Sequence, residues 1–388
     1  QNTYNQYFPL KIMVKTLLIN FVYYSPVGHV VEGLKFAKGF YEANKNLEIS
    51  IIFNKNSPYE LAKLCPWIKN VYTIDRREVG IKGIKSKTYL KIPKKWDYIM
   101  DNNLIVHQVG DVREDSPERD MVTHFKVSKD LFKAKISRGE LYPKINIPKG
   151  LKKKIDEKVL FEIPKTNLNF VKKYSHDGKK IGIMLGGSSG LALYPSVKSW
   201  IKIIKNINRK YPNCKIYLTG VKKSFKGRTA TQAYGEKDIN LIKGKFSNIV
   251  DCYNIGLFNQ IALLKLMDVF ISPHTGFAFL ASCVDTPWLE IGAGDWSMYL
   301  MNKCPFYAVF PDDKKYPHMG GVNNMKFSNK GKIPGMSDTE LDKKIPEILS
   351  ALKLLVEDKI SYGKSVEIYK KNVLKEKTSL KLFPKLPY

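Results

Sequence analysis

Three short stretches hold the residue types and spacings that could do chemistry. In DVFISPHTGFAFLASCVDTPWLEIGAG, Val269 to Pro273 reads as a buried strand, His274-Thr275-Gly276 as a turn and Phe277 to Val284 as the start of a helix. A second short strand, Trp288 to Ile291, runs into Gly292 and Gly294. Backbone N–H groups at a helix start beyond the carboxyl end of a parallel strand can hold a phosphate, which makes His274, Thr275, Gly276 and Phe277 candidate diphosphate ligands. MLGGSSG adds Gly187, Ser188 and Ser189 after another strand. It is neither a Walker loop nor GxGxxG, and taken alone it is a turn; paired with the 274–277 turn it is a second anion-ready loop. Lys198, on the helix that follows, is a candidate to neutralise phosphate charge, against the alternative that it faces solvent. The third stretch is Ser25-Pro26-Val27-Gly28-His29, between the first strand and the first helix. Gly28 permits a tight turn, and an imidazole at a helix start is favoured in its neutral form, the form that can take a proton from a hydroxyl. The alternative for His29 is that it caps or packs the helix.

The elements that must position these residues read as two alternating sets. Thr16 to Ser25 is a continuous apolar strand, a helix follows from about Val31 to Asn44, and Leu47 to Asn54 is the next strand. NSPYELAKLCPWI reads as a helix before a third strand, Val71 to Asp75, and Trp96 to Asn103 is a further strand. Strand and helix alternating through short loops predicts a doubly wound parallel sheet. Lysine and proline punctuate residues 145–180, where the domain connection is expected. A second set then begins with KIGIMLGGSS, PSVKSWIKIIKNINRKY, CKIYLTG, FNQIALLKLMD, VFISPHTG, FAFLASCV and PWLEIG, and two helices close the chain, Asp338 to Glu357 and Ile360 to Lys375. Twin doubly wound domains place a ligand in the cleft between them, at the strand carboxyl ends where strand order reverses. Trp288, Trp296, Tyr299 and Phe306 are read as core residues, with a sugar or base pocket as the alternative.

The 388 residues suffice for two such domains, and with 44% apolar residues no window is long and apolar enough for a membrane span. QNTYNQYFPLKIMVK lacks the order of a secretory signal, and five widely spaced cysteines read as buried thiols of a reducing compartment; the expected location is cytoplasmic, with peripheral contact to an anionic membrane or polymer open. Only seven of the 65 basic residues behind the net charge of +29 are arginine, the side chain that reads guanine and phosphate bidentately, which argues against nucleic acid as partner. No HExxH, CxxC pair or GxSxG occurs, and Asp312-Asp313 sits in a basic loop rather than at a strand end, so no metal and no resident cofactor are expected.

The order of these pieces resembles the GT-B glycosyltransferases, and among them glycosyltransferase family 9, the heptosyltransferases of lipopolysaccharide assembly. The family's Ser-x-Gly-Asp turn is resembled by Ser25 to His29, with His29 in the aspartate's place. Its small-residue loop followed by Lys-x-Trp is resembled by GGSSG and Lys198-Ser199-Trp200, and its strand ending in Gly by Leu218-Thr219-Gly220. Its Asp-Thr-Gly turn, His-Leu-Ala helix and Pro-x-x-x-x-Gly strand are resembled by residues 257–292, with His274 for the aspartate and Phe279 for the histidine. No glutamate stands just after Gly220, where the family would hold the donor nucleoside; Glu236 is the nearest acid. The resemblance implies a GT-B, α/β fold of two facing Rossmann-like domains: residues 1–165 for the acceptor, 166–345 for the nucleotide sugar, and 346–388 packing back toward the first domain. It implies an inverting, metal-independent transfer from a nucleotide-diphospho-sugar to an acceptor hydroxyl, of a glycan, a lipid-linked or another acceptor, with His29 as base. The alternatives are an epimerase or sugar-nucleotide hydrolase of the same fold, and a non-catalytic basic module binding nucleic acid or an anionic glycan.

Overall fold

Apolar runs line up as parallel strands in the computed structural model, which describes residues 14–21, 26–74, 91–101, 149–154, 157–187, 194–222, 231, 234–292, 302–309 and 336–374. In the first domain β1 (Lys15–Phe21), β2 (Leu47–Asn54), β3 (Ile68–Ile74) and β4 (Tyr98–Asp101) form one sheet in the order β3-β2-β1-β4, every pair parallel. Leu17, Leu18, Ile19, Ile51, Ile52 and Phe53 are fully covered, as an inner strand with both faces packed must be. Helix α1 (Val27–Ala43) crosses from β1 to β2. It lies close on the sheet at Gly33, where a Cβ would fall 3.0 Å from the Phe21 ring.

Several boundaries differ from expectation, β3 starting at Ile68 rather than Val71 among them. Helix α1 starts at Val27, four residues before the expected Val31, because Pro26 supplies an N-cap with φ −64° and Gly28 is absorbed into the first turn. His29 therefore rides on the helix itself. The helix expected between β2 and β3 is a 3-10 turn, Tyr59–Leu64. Pro66 stops it, because the residue before that proline, Cys65, is held extended at φ −122°.

The second sheet contains β5 (Lys179–Ile183), β6 (Cys214–Gly220), β7 (Ile249–Tyr253), β8 (Val269–Pro273), β9 (Trp288–Ile291) and β10 (Phe306–Val309), in the order β10-β9-β8-β5-β6-β7, again parallel throughout. Its helices are α3 (Val197–Lys210), α4 (Glu236–Lys245), α5 (Leu257–Leu266), the single turn α6 (Ala278–Ser282), α7 (Asp338–Val356) and α8 (Tyr362–Leu374), while α2 (Lys165–Val171) lies in the stretch expected to be connection only. Sequence periodicity missed α4 and the strands β7 and β10, which are the two edges of the sheet. IVDCY is half-buried and carries Asp251 at its centre, so it lacks the apolar run of an inner strand. Helix α3 is the opposite case: Ser196 caps it by accepting from Ser199 N–H, and Trp200, Ile203, Ile204 and Ile207 form its buried stripe.

The two sheets share one apolar cluster, in which Leu17 and Phe53 of the first join Phe279, Trp288, Phe306 and Tyr369 of the second. Residues 159–162 bridge them, Phe161 N–H donating to Cys283 and Glu162 N–H to Leu64. A polar strut crosses the same region. Lys35, 1% exposed on α1, donates to the Glu157 carbonyl at 2.9 Å and to Asn302 Oδ1 at 3.1 Å. Asn302, fully buried with φ 54°, also accepts from Val159 N–H at 2.7 Å and donates to the Val159 and Ser282 carbonyls. All five cysteines are buried and free. Among the described residues no helix is long and apolar enough to cross a membrane.

Candidate functional site

Among the described strands the order reverses once in each sheet, and both reversals fall at the turns singled out from sequence. In the first sheet β2 and β3 lie on one side of β1 and β4 on the other, so the crevice beyond β1 is bounded by the start of α1, with Gly28 and His29. In the second, β6 and β7 lie on one side of β5 and β8, β9 and β10 on the other. That crevice is bounded by Gly187 after β5 and by His274 to Phe277 after β8, the position where doubly wound sheets hold ligands. The two crevices meet. A Cβ on Gly276 would lie 2.8 Å from Gly28 N, and one on Gly28 would lie 3.1 Å from Gly276 Cα and 3.0 Å from the Phe279 ring. Glycine at both places is what lets the first turn of α1 rest directly on the turn after β8.

His29 is partly open, its side chain 19% exposed, and its Nδ1 stands 3.0 Å from Glu32 Oε2 one turn further along α1. A carboxylate only accepts, so Nδ1 carries a proton toward Glu32, and in the neutral imidazole the lone pair is then at Nε2. This is the arrangement of an oriented general base. Lys153, from the segment that runs along α1, feels the charge of Glu32, yet burial brings its ammonium down to about 7.

On the opposite side the structure brings Gly187 and Thr275 together. A Cβ on Gly187 would lie 3.1 Å from Thr275 Cγ2 and 2.9 Å from Tyr194 Oη, so only glycine fits. Thr275 is 5% exposed and its hydroxyl is directed at Met184 Sδ, 3.5 Å away, which leaves its backbone rather than its side chain for a ligand. The ring of Phe277 packs on Phe270, so Phe277 too would serve a ligand through its backbone. The helix expected over 277–284 is one turn, 278–282, with a correspondingly small dipole. His274, 19% exposed, sets its Nδ1 3.2 Å from Oε1 of Glu290, a carboxylate only 1% exposed on β9. Burial holds the His274 pKa well below the usual imidazole range.

Lys198 is exposed in the first turn of α3, close enough to Asp338 to help hold that carboxyl below its usual range, after the hydrogen bond from Ser196. The rest of its motif is structural: Ser199 donates to Asp338 at 2.7 Å, and the Trp200 indole N–H donates to the Leu185 carbonyl at 2.9 Å, which fixes the chain entering the 186–187 loop. Trp288 and Phe306 are core residues, each 1% exposed. Ser25, Ser188, Ser189, Trp296 and Tyr299 lie outside the described residues. Sequence reasoning missed Glu32, Glu290 and Gln260. His-x-x-Glu at the start of a helix was the available signal for the first, and a lone charge inside the apolar strand WLEI for the second. Gln260 grips the end of β6 with both amide atoms, to Gly220 N at 3.1 Å and to Gly220 O at 2.9 Å, and has no signature in sequence. Among the described residues no three His, Cys, Asp or Glu side chains converge as metal ligands would.

No protein-family model matches the chain, and no curated protein sequence matches it. Solved structures do. A family 9 glycosyltransferase from Veillonella parvula is similar with a TM-score of 0.53 at 12% identity, over 89% of this chain and 97% of that one. The E. coli ADP-heptose lipopolysaccharide heptosyltransferase II gives 0.53 at 12% identity, over 89% of this chain and 100% of that one. The E. coli heptosyltransferase WaaC, solved with ADP, gives 0.51 at 11% identity, over 80% and 98%. The chain has the GT-B fold of these proteins, two facing Rossmann-like domains.

Proposed function

We propose that this protein is an inverting, metal-independent glycosyltransferase, moving a sugar from a nucleotide-diphospho-sugar to an acceptor hydroxyl. The observation that carries the reading is the direct packing of the two switch-point turns, Gly28 on Gly276, which sets a Glu32-oriented imidazole beside an amide-bearing turn. The fold shared with heptosyltransferases, one of them solved with ADP, supports a nucleotide as the donor's handle.

In this reading residues 1–165 bind the acceptor and residues 166–345 the donor, with residues 346–388 packing back. His29 Nε2 takes the acceptor's hydroxyl proton as the oxygen attacks the anomeric carbon, and the sugar–phosphate bond breaks on the far side with inversion. The electron pair leaves on the diphosphate. Backbone N–H groups of 275–277 and the Gly187 loop stabilise that charge, which they can do without reorganising. Ser188, Ser189 and Lys198 belong to the same proposed donor site, and Ser25 to the acceptor turn. Protein groups supply the neutralising charge in place of a divalent ion.

A thermal-shift panel tests the donor half. At roughly 100 times its dissociation constant a ligand adds about 2.7 kcal/mol of stability, so one of UDP, ADP, GDP or dTDP is expected to raise the melting temperature by about 5 °C. Tight binding of a nucleic acid or anionic glycan with a steep salt dependence, and no shift with any nucleotide, would instead mark a basic binding module.

A further inference from the structure

One face of α1 carries the candidate base and continues past it. His29, Glu32, Phe36 and Gly39 follow at helical spacing, each one turn beyond the last. Residues 152–154 run along this face and are pinned to the helix. Lys154 N–H donates to the Gly39 carbonyl at 3.0 Å, while Asn44 accepts from Lys152 N–H at 3.0 Å and donates to the Lys152 carbonyl at 2.7 Å. Only glycine fits at 39, since a Cβ there would run into the Lys154 carbonyl oxygen and lie 3.3 Å from Lys153 Cγ. The stem of Lys153 lies in that notch, and its Nζ stands 3.9 Å from the centre of the Phe36 ring, an attractive seat for an ammonium. Glu32 is one turn from Phe36 on the same face, and its charge reaches the Lys153 ammonium. Along the helix, then, Glu32 stands between two nitrogen bases, with His29 Nδ1 bonded to its carboxylate at 3.0 Å.

We infer that Lys153 is a positioning residue of the transfer reaction that acts through Glu32: its ammonium competes with His29 for the carboxylate and so sets how firmly His29 holds the acceptor's proton. The inference rests on the reading of His29 as base. A carboxylate drawn between two cations serves each less well than it would serve one. While Lys153 is charged, Glu32 lends less to the imidazolium; once the lysine is neutral, the whole carboxylate stands behind the imidazolium that forms as the acceptor oxygen attacks. Burial brings the Lys153 amine down to about 7 against the charge of Glu32, which puts both of its forms within reach near neutral pH. The other charged and titratable groups along α1 have partners of their own. Lys35 is bonded to the Glu157 carbonyl and Asn302, Lys38 pairs with Glu42, and Lys154 acts on Glu42 as well. The 3-10 turn packed on α1 brings Tyr59, Glu60 and Lys63, and the turn after β8 brings His274, which is held by Glu290. The lysines beside Lys153 in its own segment are Lys149, Lys152 and Lys154, the last two exposed.

Imidazole titration in the unliganded full chain tests this without any sugar nucleotide. Histidine labelled with carbon-13 at Cε1 is followed by NMR in K153M and K153R, the His29 signal being the one lost in H29Q. Methionine keeps an apolar stem on Phe36 and removes the charge, whereas arginine keeps the charge at every pH used. His29 is expected to take up its proton at a higher pH in K153M than in K153R, by roughly half a pH unit or more, as one nearby charge would impose. Loss of packing alone would move both variants in the same direction. With Glu32 also replaced by glutamine, the difference between the two lysine variants is expected to fall by more than half. Melting curves establish that the variants are folded, and K153Q takes the place of K153M if the latter is not. Equal midpoints in K153M and K153R, or a difference that survives unchanged in the E32Q background, overturn the inference and leave His29 standing as the proposed base. Midpoints that differ as expected, together with undiminished transfer by His29→Ala, overturn that role for His29 and with it the part given to Lys153.

Discussion

Replacing His29 by alanine is expected to lower the rate of sugar transfer by about 10²- to 10⁴-fold, the usual contribution of a general base, while leaving nucleotide binding within a factor of about two. The expectation follows from position. Its side chain is 19% exposed, its Nδ1 is tied to Glu32 at 3.0 Å, and the residue before it touches the turn assigned to the diphosphate. Glu32→Gln should act in the same direction and more weakly, because the amide still bonds Nδ1 but no longer stabilises the imidazolium formed in the transition state. Single-turnover transfer and calorimetric nucleotide binding separate the two effects. A His29→Ala protein that transfers sugar at the original rate removes His29 from the chemistry, and one that loses nucleotide affinity instead assigns it to binding.

Asn302→Ala is expected to be the most destabilising single change outside the site. One side chain satisfies Val159 N–H, the Val159 and Ser282 carbonyls and, through Oδ1, the buried ammonium of Lys35. Removing it strands these groups where water does not replace it, and breaking such a buried charged network costs roughly 3–5 kcal/mol. Alanine also fits poorly at φ 54°, a left-handed conformation that asparagine tolerates. Because the network joins α1 to the second domain, chemical denaturation should show a lower midpoint, and Lys35→Met should lose less than Asn302→Ala, since methionine fills the space without a charge. A midpoint for Asn302→Ala within about 0.5 kcal/mol of the original would mean that the strut contributes little.

The fold was legible in the sequence where the physics is local. Continuous apolar runs such as TLLINF and VFISP require a strand covered on both faces, and their alternation with helices requires parallel pairing. Legibility failed at the sheet edges, where β7 is half-buried and carries Asp251, and at Tyr59–Leu64, a 3-10 turn stopped by Pro66. The site divides in the same way. His29 and the 274–277 turn could be found because a strand followed by a small-residue turn and a helix has a sequence signature. Their partners could not be found with equal ease. Glu32 lies three residues from His29 on one helix and was within reach of a spacing argument. Glu290 meets His274 only because β9 pairs with β8 in the register that sets Ser272 opposite Glu290. No local pattern encodes that register, nor the contact between Gly28 and Gly276, which joins residues of two separate sheets.

A crystal structure of the protein with the nucleoside diphosphate that stabilises it most would show whether two facing switch-point turns hold a diphosphate beside an imidazole. Phosphate oxygens are expected within hydrogen-bond distance of the backbone N–H groups of residues 275–277 and of the loop at Gly187, with the terminal phosphate on the side facing His29. Phosphates bound elsewhere, on surface lysines or away from the carboxyl ends of β5 and β8, would contradict that expectation.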